Sequence, residues 1–485
     1  MNKPIRTLAV GCLVLFAALL ININYVQVFK AAELNAQDTN TRARDAECSR
    51  ERGPILVGDE TIARSVPSRD SYDFIRRYSQ ARMYSPVTGY FSCIYGTSNI
   101  EESQSSVLSG TDERLFVDRV VELVGNEQLE GGSVSLTIDA EAQQAALDGL
   151  KALPGRSRGA AVALDPETGA ILAMVSTPSY NTNLLATHGF DEAKQAWDRL
   201  NAADADPLLN KATQEIYPPG STFKLVVAAA ALSNGYSPDS TVMGGTSLDL
   251  PQTSDDLTNL DGSDCGGEEI TLTQALAVSC NVSFGDLGLK LGADTLQEQA
   301  ERFGFNEDYL DELPQAVSNF PTGVNEPNTA LSSIGQYEVA STPLQMAMVV
   351  AGIANGGAVM RPYIVDQVRA PDLDVLEEAD PEVLHQAVSG AVADDLTQMM
   401  VDVVETGTGT AVQIEGITVG GKTGTANTTD DKSPYAWMVT FAPADDPQVA
   451  VAVFVERTEV DRADISGSGL AGPIAVDVMK AVIER

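Results

Sequence analysis

A serine followed three residues later by a lysine, Ser221 and Lys224, opens an apolar run in the segment PPGSTFKLVVAAAAL, residues 218–232. A lysine in such company either snorkels to water or stays inside for chemistry. Pro218, Pro219 and Gly220 break the preceding structure, so the spacing predicts a helix from Ser221 with both side chains on one face. The helix's first N–H groups would then lie near the hydroxyl, ready to stabilise an oxyanion. With only two histidines in the chain, a Ser-His-Asp triad is unattractive. Burial together with a second cation would instead make Lys224 a neutral amine able to take the serine's proton. S-x-x-K alone is weak, since a serine N-cap beside a snorkelling lysine explains it as well. Two further segments change the balance. AVSCNVSFGDLG supplies Ser279 and Asn281, and GGKTGTA supplies Lys422, Thr423, Gly424 and Thr425 on a predicted strand.

The elements that must position these residues read as an α+β domain over 151–485. GAAVALDPETGAILAMVSTPSY is a strand pair about an Asp-Pro-Glu-Thr-Gly turn, followed by helical segments. ITVGGKTGTANTT, YAWMVTFAPADD and QVAVAVFVERT are three successive strands, and AVDVMKAVIER is a closing amphipathic helix. First and last elements are expected to close on one another in one sheet. Residues 31–150 read as a small β-rich pedestal module with a linker, its strand-like pieces including GPILVGD and YSPVTGYFSCIYG. At SVSLTIDAEAQQAALDGLKALPG the pattern changes to a strand and then a helix ending at Pro154-Gly155, and the domain boundary is placed there.

The first 30 residues are a cytoplasmic N-terminus and a membrane anchor. LAVGCLVLFAALLI, residues 8–21, is uncharged, with Lys3 and Arg6 before it and polar residues after it. A cleaved signal peptide competes with this reading, although no clean A-x-A site follows; either way the rest of the chain is exported. Export puts Cys48, Cys93, Cys265 and Cys280 in an oxidising compartment, so two bridges can form, with Cys265–Cys280 favoured and Cys48–Cys93 left over. The cysteine spacing fits no zinc site. A loop with Asn259, Asp261, Gly262 and Glu268 faintly echoes a calcium loop, but Leu257 stands where the first oxygen ligand should be. A formal charge of -37, from 31 basic against 68 acidic residues, excludes a nucleic-acid binder.

S-x-x-K, S-x-N and K-T-G, complete and in this order, make the sequence resemble the penicillin-recognising serine acyltransferases. RGPI after the anchor, the strand pair above, SSIGQYEVASTPLQMAMVVAGIANGG and AWMVTFAPAD narrow the likeness to class B penicillin-binding proteins, especially their actinobacterial PbpA type. The resemblance covers nearly the whole chain. It implies a transpeptidase domain of antiparallel sheet, flanking helices and a helical subdomain, on a pedestal module and one transmembrane helix.

It also implies the chemistry. Ser221 attacks a peptidoglycan stem peptide at the penultimate D-alanine, Lys224 is the base, Ser279 passes a proton to the leaving amine, and Asn281 positions Lys224 and the substrate amide. Lys422 keeps the field positive, and the Thr423 and Thr425 hydroxyls hold the terminal carboxylate. The N–H groups of Ser221 and Thr425 form the oxyanion hole, and Gly424 lets the substrate backbone approach. No metal or organic cofactor is implied, β-lactams are covalent inhibitors, and a glycosyltransferase of the RodA/FtsW type is the membrane partner.

A D,D-carboxypeptidase, with water as the second nucleophile, stays open. A serine β-lactamase would need a deacylating glutamate in an E-x-x-L-N segment, and NEPNTAL offers Glu326 without that pattern. A non-catalytic β-lactam sensor would need a signalling segment, and few residues precede the anchor. His188, His385 and Trp437 read as packing residues. Cys280 is either a reactive thiol or, better, a bridge bracing the S-x-N motif.

Overall fold

Between Arg6 and Lys30 no side chain is charged, and the segment forms one long helix, α1 (Lys3–Phe29). The computed structural model describes residues 3–30, 41–115, 130–155, 157–260, 262–426 and 433–484. In α1 the stretch Ile5–Val26, 22 residues of mean hydropathy 2.2, is not buried among the described residues. At 1.5 Å per residue it spans about 33 Å, enough for a hydrocarbon layer about 30 Å thick. The helix thus extends well past the apolar run of residues 8–21, and it is compatible with a single membrane crossing.

The β-rich N-terminal region is organised by a six-stranded sheet in the order Val375–Glu378, Val365–Arg369, Ser133–Leu136, Ile55–Val57, Glu60–Pro67, Phe74–Tyr78. Two of these strands come from far along the chain, Val365–Arg369 pairing antiparallel with Ser133–Leu136. The boundary placed at residue 150 falls inside helix α2 (Ala140–Ala152). That helix buries Ala142, Gln143, Ala146, Leu147 and Leu150 and packs on the second, central sheet. The two units are therefore interleaved, because sheet pairing ignores sequence distance. YSPVTGYFS also departs from its strand-like reading. Ala81–Thr88 is a helix despite Pro86, and only the two-residue strands Phe91–Ser92 and Gly96–Thr97 follow. Burial of every residue from Met83 to Thr88 overrides the poor helix propensity of Val87 and Thr88.

The central sheet comprises β1 (Arg158–Leu164), β2 (Ile171–Thr177), β3 (Gly420–Ala426), β4 (Tyr435–Ala442) and β5 (Val449–Arg457). Its order is β3-β4-β5-β1-β2, antiparallel throughout, so the first strand pair and the last three strands do join. In β5 every residue from Val449 to Val455 is buried, the mark of a strand covered on both faces, and its sequence is a continuous apolar run. Helices α2 and α7 (Gly472–Ile483) pack together on the sheet. Helix α5 (Pro343–Ala354) lies along β5 and β1, and α6 (Gly390–Glu405) lies along β3. Helix α3 (Lys224–Ser233), apolar all round and buried from Lys224 to Leu232, sits behind α6 and against α4 (Asn281–Leu291). This arrangement brings three distant segments to the free edge of the sheet, at β3.

Candidate active site

Ser221 lies in a 3-10 turn, Gly220–Phe223, that runs directly into α3 at Lys224, so the α-helix begins three residues later than expected. With three residues per turn, positions i and i+3 eclipse, which stacks Ser221 and Lys224 on one side. Gly220 makes the turn possible. It has φ +54, its N–H donates to Gly335 O at 3.0 Å, and a Cβ there would lie 3.1 Å from Thr425 O. Trp437, fully buried as expected, donates from Nε1 to Pro218 O at 3.0 Å and so braces the same turn from β4.

Lys224 and Lys422 are both fully buried. The Lys224 Nζ sits 2.7 Å from Ser279 O, 2.7 Å from Asn281 Oδ1 and 3.3 Å from Ser279 Oγ. Lys422 Nζ reaches Ser279 Oγ and Thr423 O, both at 2.9 Å. No carboxylate pairs with either amine among the described residues. Burial first, and then the charge of Lys422, hold Lys224 well below the usual lysine range. Burial alone brings Lys422 down to about 7. A neutral amine has two N–H groups and one lone pair. The two acceptors at 2.7 Å take both N–H groups of Lys224, leaving the lone pair for a proton. Ser279, at φ +61, holds a left-handed conformation uncommon for a residue with a side chain. That turn lets its hydroxyl and its carbonyl meet the two lysines.

The other predicted site residues converge on one cleft of 770 Å³, lined among others by Ser221, Ser279, Asn281, Thr423 and Thr425. Gly424 has a packing reason to be glycine besides the substrate approach expected of it. A Cβ there would lie 2.9 Å from Thr222 Cγ2 and 3.0 Å from both Pro219 O and Trp437 Cβ, so its bare backbone admits the Ser221 turn. Sequence reasoning missed Thr408, also in the cleft, whose hydroxyl is 2.7 Å from that of Thr423. The TGTGT run around it was the available signal.

Both disulfides are closed, Cys48–Cys93 and Cys265–Cys280, with Cα separations of 5.7 and 5.8 Å. The second ties the middle residue of Ser279-Cys280-Asn281 to the cleft wall. Asn259, part of the calcium-loop echo, spends its side chain on protein partners: Gly245 O, Ser263 O and the N–H groups of Asn281 and Val282. Asp261 of that echo lies outside the described residues. His188 pairs with Asp70 at 2.8 Å and His385 with Glu307 at 2.5 Å, both remote from the cleft.

A serine lining a cleft, backed by a buried lysine held well below the usual lysine range and by a second buried lysine, is the equipment of an acyl-transfer enzyme. The penicillin binding protein transpeptidase domain model matches residues 159–480, and the penicillin binding protein A dimerisation domain model matches residues 52–134. The chain belongs to the penicillin-binding protein transpeptidase family. It is 42% identical over 492 residues to peptidoglycan D,D-transpeptidase PbpA of Mycolicibacterium smegmatis, with 100% of each chain covered. To the PbpA of Mycobacterium tuberculosis it is 39% identical, covering 100% of this chain and 99% of that one. The structure of penicillin-binding protein A from M. tuberculosis as a ceftriaxone acyl-enzyme superposes with a TM-score of 0.87 at 38% identity, covering 90% of this chain and 100% of that chain.

Proposed function

We propose that this protein is a peptidoglycan D,D-transpeptidase that works through a serine acyl-enzyme and is inactivated covalently by β-lactams. The observation that carries this reading is the pair of buried lysines, neither with a carboxylate partner among the described residues, beside a serine that lines the cleft. Relatives named for this activity, and a related protein solved as β-lactam acyl-enzymes, support it.

The Ser221 hydroxyl attacks the carbonyl carbon of the penultimate D-alanine, and its proton passes to the Lys224 amine. The N–H groups of Ser221 and Thr425 take the charge that develops on the oxygen. As the C–N bond breaks, the Ser279 hydroxyl gives its proton to the leaving amine and regains one from Lys224, 3.3 Å away, so D-alanine departs and no net proton is consumed. Lys422 keeps the field positive, Asn281 orients Lys224, and the Thr423 and Thr425 hydroxyls hold the terminal carboxylate. Because β3 is an edge strand, an extended donor peptide can add to the sheet there. An amine from a neighbouring stem then attacks the ester, forming the cross-link and freeing Ser221.

Lys3 and Arg6 favour a cytoplasmic N-terminus for α1, and the two disulfides fit an oxidising exterior for the rest. The membrane partner is a polytopic glycosyltransferase of the RodA/FtsW type. The pedestal, with the strands at 365–369 and 375–378 counted in it, holds the cleft away from the membrane.

The test is intact mass of the full chain in detergent with penicillin, followed over hours beside Ser221→Ala. A lasting adduct on the parent and none on the variant is expected. Accumulating hydrolysed drug would convert the reading to a β-lactamase, and no adduct on folded protein would overturn it. A stem-peptide donor given with an amine acceptor should then yield cross-linked product; hydrolysed donor alone would mean a carboxypeptidase.

A further inference from the structure

Helix α4 begins directly after Ser279-Cys280, and its N-cap residue cannot do the usual work. Cys280 makes no capping bond, and its sulfur is committed to Cys265. The first N–H groups of a helix need partners. They find them in Asn259, 22 residues upstream: its Oδ1 accepts from Asn281 N at 3.0 Å and from Val282 N at 3.2 Å. Its Nδ2 donates to Gly245 O at 3.0 Å and to Ser263 O at 2.8 Å. The side chain is buried, and both hydrogens and both lone pairs of the amide are used. A flipped amide would set NH₂ against two N–H groups and oxygen against two carbonyls, so only one orientation fits. The adjoining Thr258 O accepts from Asn281 Nδ2 at 3.0 Å, which turns Asn281 Oδ1 toward Lys224 Nζ, 2.7 Å away.

We propose that Asn259 is a positioning residue for acylation: by capping α4 from outside the helix it sets the pose of Asn281 and of the left-handed Ser279 turn, and through them the amine of Lys224. The proposal rests on the reading of Ser221 as nucleophile and Lys224 as base. It replaces the faint cation-ligand reading of Asn259 with a role at the site itself. Nothing about the residue's type announces this, because the capping partner lies in another strand-and-loop segment.

The charge that acts on Lys224 comes from Lys422, and its remaining close neighbour of note is the Phe284 ring, 5.6 Å from Nζ. A change at Asn259 that mattered only for folding would leave the amine's titration where it is. The experiment measures the second-order rate constant for acylation of the full chain by penicillin G between pH 5 and 9, well below the melting temperature, for parent, Asn259→Ala and Asn259→Asp. Asn259→Ala should acylate about 10- to 100-fold more slowly, the scale of a misplaced catalytic group. Asn259→Asp keeps the shape and the cap acceptor, but sets a carboxylate oxygen against two carbonyls and brings an anion toward Lys224. It should be slower than the parent, with the acid limb of its profile moved to higher pH. An acylated parent beside either folded variant with the parent's rate constant and limb overturns the proposal. So does an Asn259→Asp variant whose melting temperature is lowered but whose limb is unmoved. A parent that is never acylated would instead sink the reading of the site.

Discussion

The cleft and the N-terminal region both bury basic side chains, and they do it in opposite ways. In the cleft, among the described residues, Lys224 and Lys422 hydrogen-bond to neutral oxygens of Ser279, Asn281 and Thr423 and to no carboxylate. Beside the N-terminal sheet, Arg52 and Arg76 close on the fully buried carboxylate of Glu101, at 3.0 and 2.6 Å. Tyr78 donates a further bond to Glu101 at 2.9 Å, and the Arg52 guanidinium lies 4.4 Å from the Phe91 ring centre. Burial pushes the Glu101 carboxyl up, yet Arg76 and then Arg52 carry it below the usual range, so the group stays ionised. The lesson is about counter-ions. A buried cation with a carboxylate partner keeps its charge and braces the fold. One without a partner is driven toward neutrality and becomes a base.

Lys224→Met should have the largest effect. Acylation by penicillin should fall by about 10²- to 10⁴-fold, the usual contribution of a general base, while the thermal midpoint holds or rises because a buried amine is gone. A rate near the parent's would end the claim that the unpaired lysine is the base.

Glu101→Gln should do the reverse. It leaves the buried Arg76 guanidinium without an anion and Arg52 with only the half-exposed Glu47, 3.5 Å away, and should cost about 3–5 kcal/mol of stability in denaturant unfolding, as breaking buried pairs does. The folded fraction should acylate at the parent's rate; a lost rate without lost stability would show that the N-terminal region governs the chemistry directly.

The smallest effect is on pH dependence. The reactive form needs Lys224 neutral and Lys422 charged. Acylation should therefore rise as Lys224 loses its proton and fall as pH passes about 7, where Lys422 loses its own. Each limb should approach tenfold per pH unit, and the two apparent values belong to the lysine pair jointly. A flat profile from pH 5 to 9 would place both amines outside the titrating range.

Much of this was legible before any coordinates, for reasons tied to particular residues. Strands β1, β2, β4 and β5 announce themselves as apolar runs, and the three short motifs, one of them on β3, name their own residues. RGPI was legible only as a resemblance. Its meaning came with Glu101, whose partners lie 49 and 25 residues away and leave no local pattern. The same holds for Thr408 beside Thr423 and for the strand Val365–Arg369 beside Ser133–Leu136.

By itself the sequence determined which groups are available: a serine and lysine one turn apart, a second lysine on a strand, four cysteines beyond the apolar helix, and a carboxylate-rich surface. These follow from local spacing and composition, which need no partner. Tertiary structure alone decided which lysines would lack a counter-ion, why Gly424 has no side chain, and which asparagine caps the helix behind Ser279. Each of these depends on what long-range packing brings within about 3 Å, the reach of a hydrogen bond, and that distance is not written in any single segment.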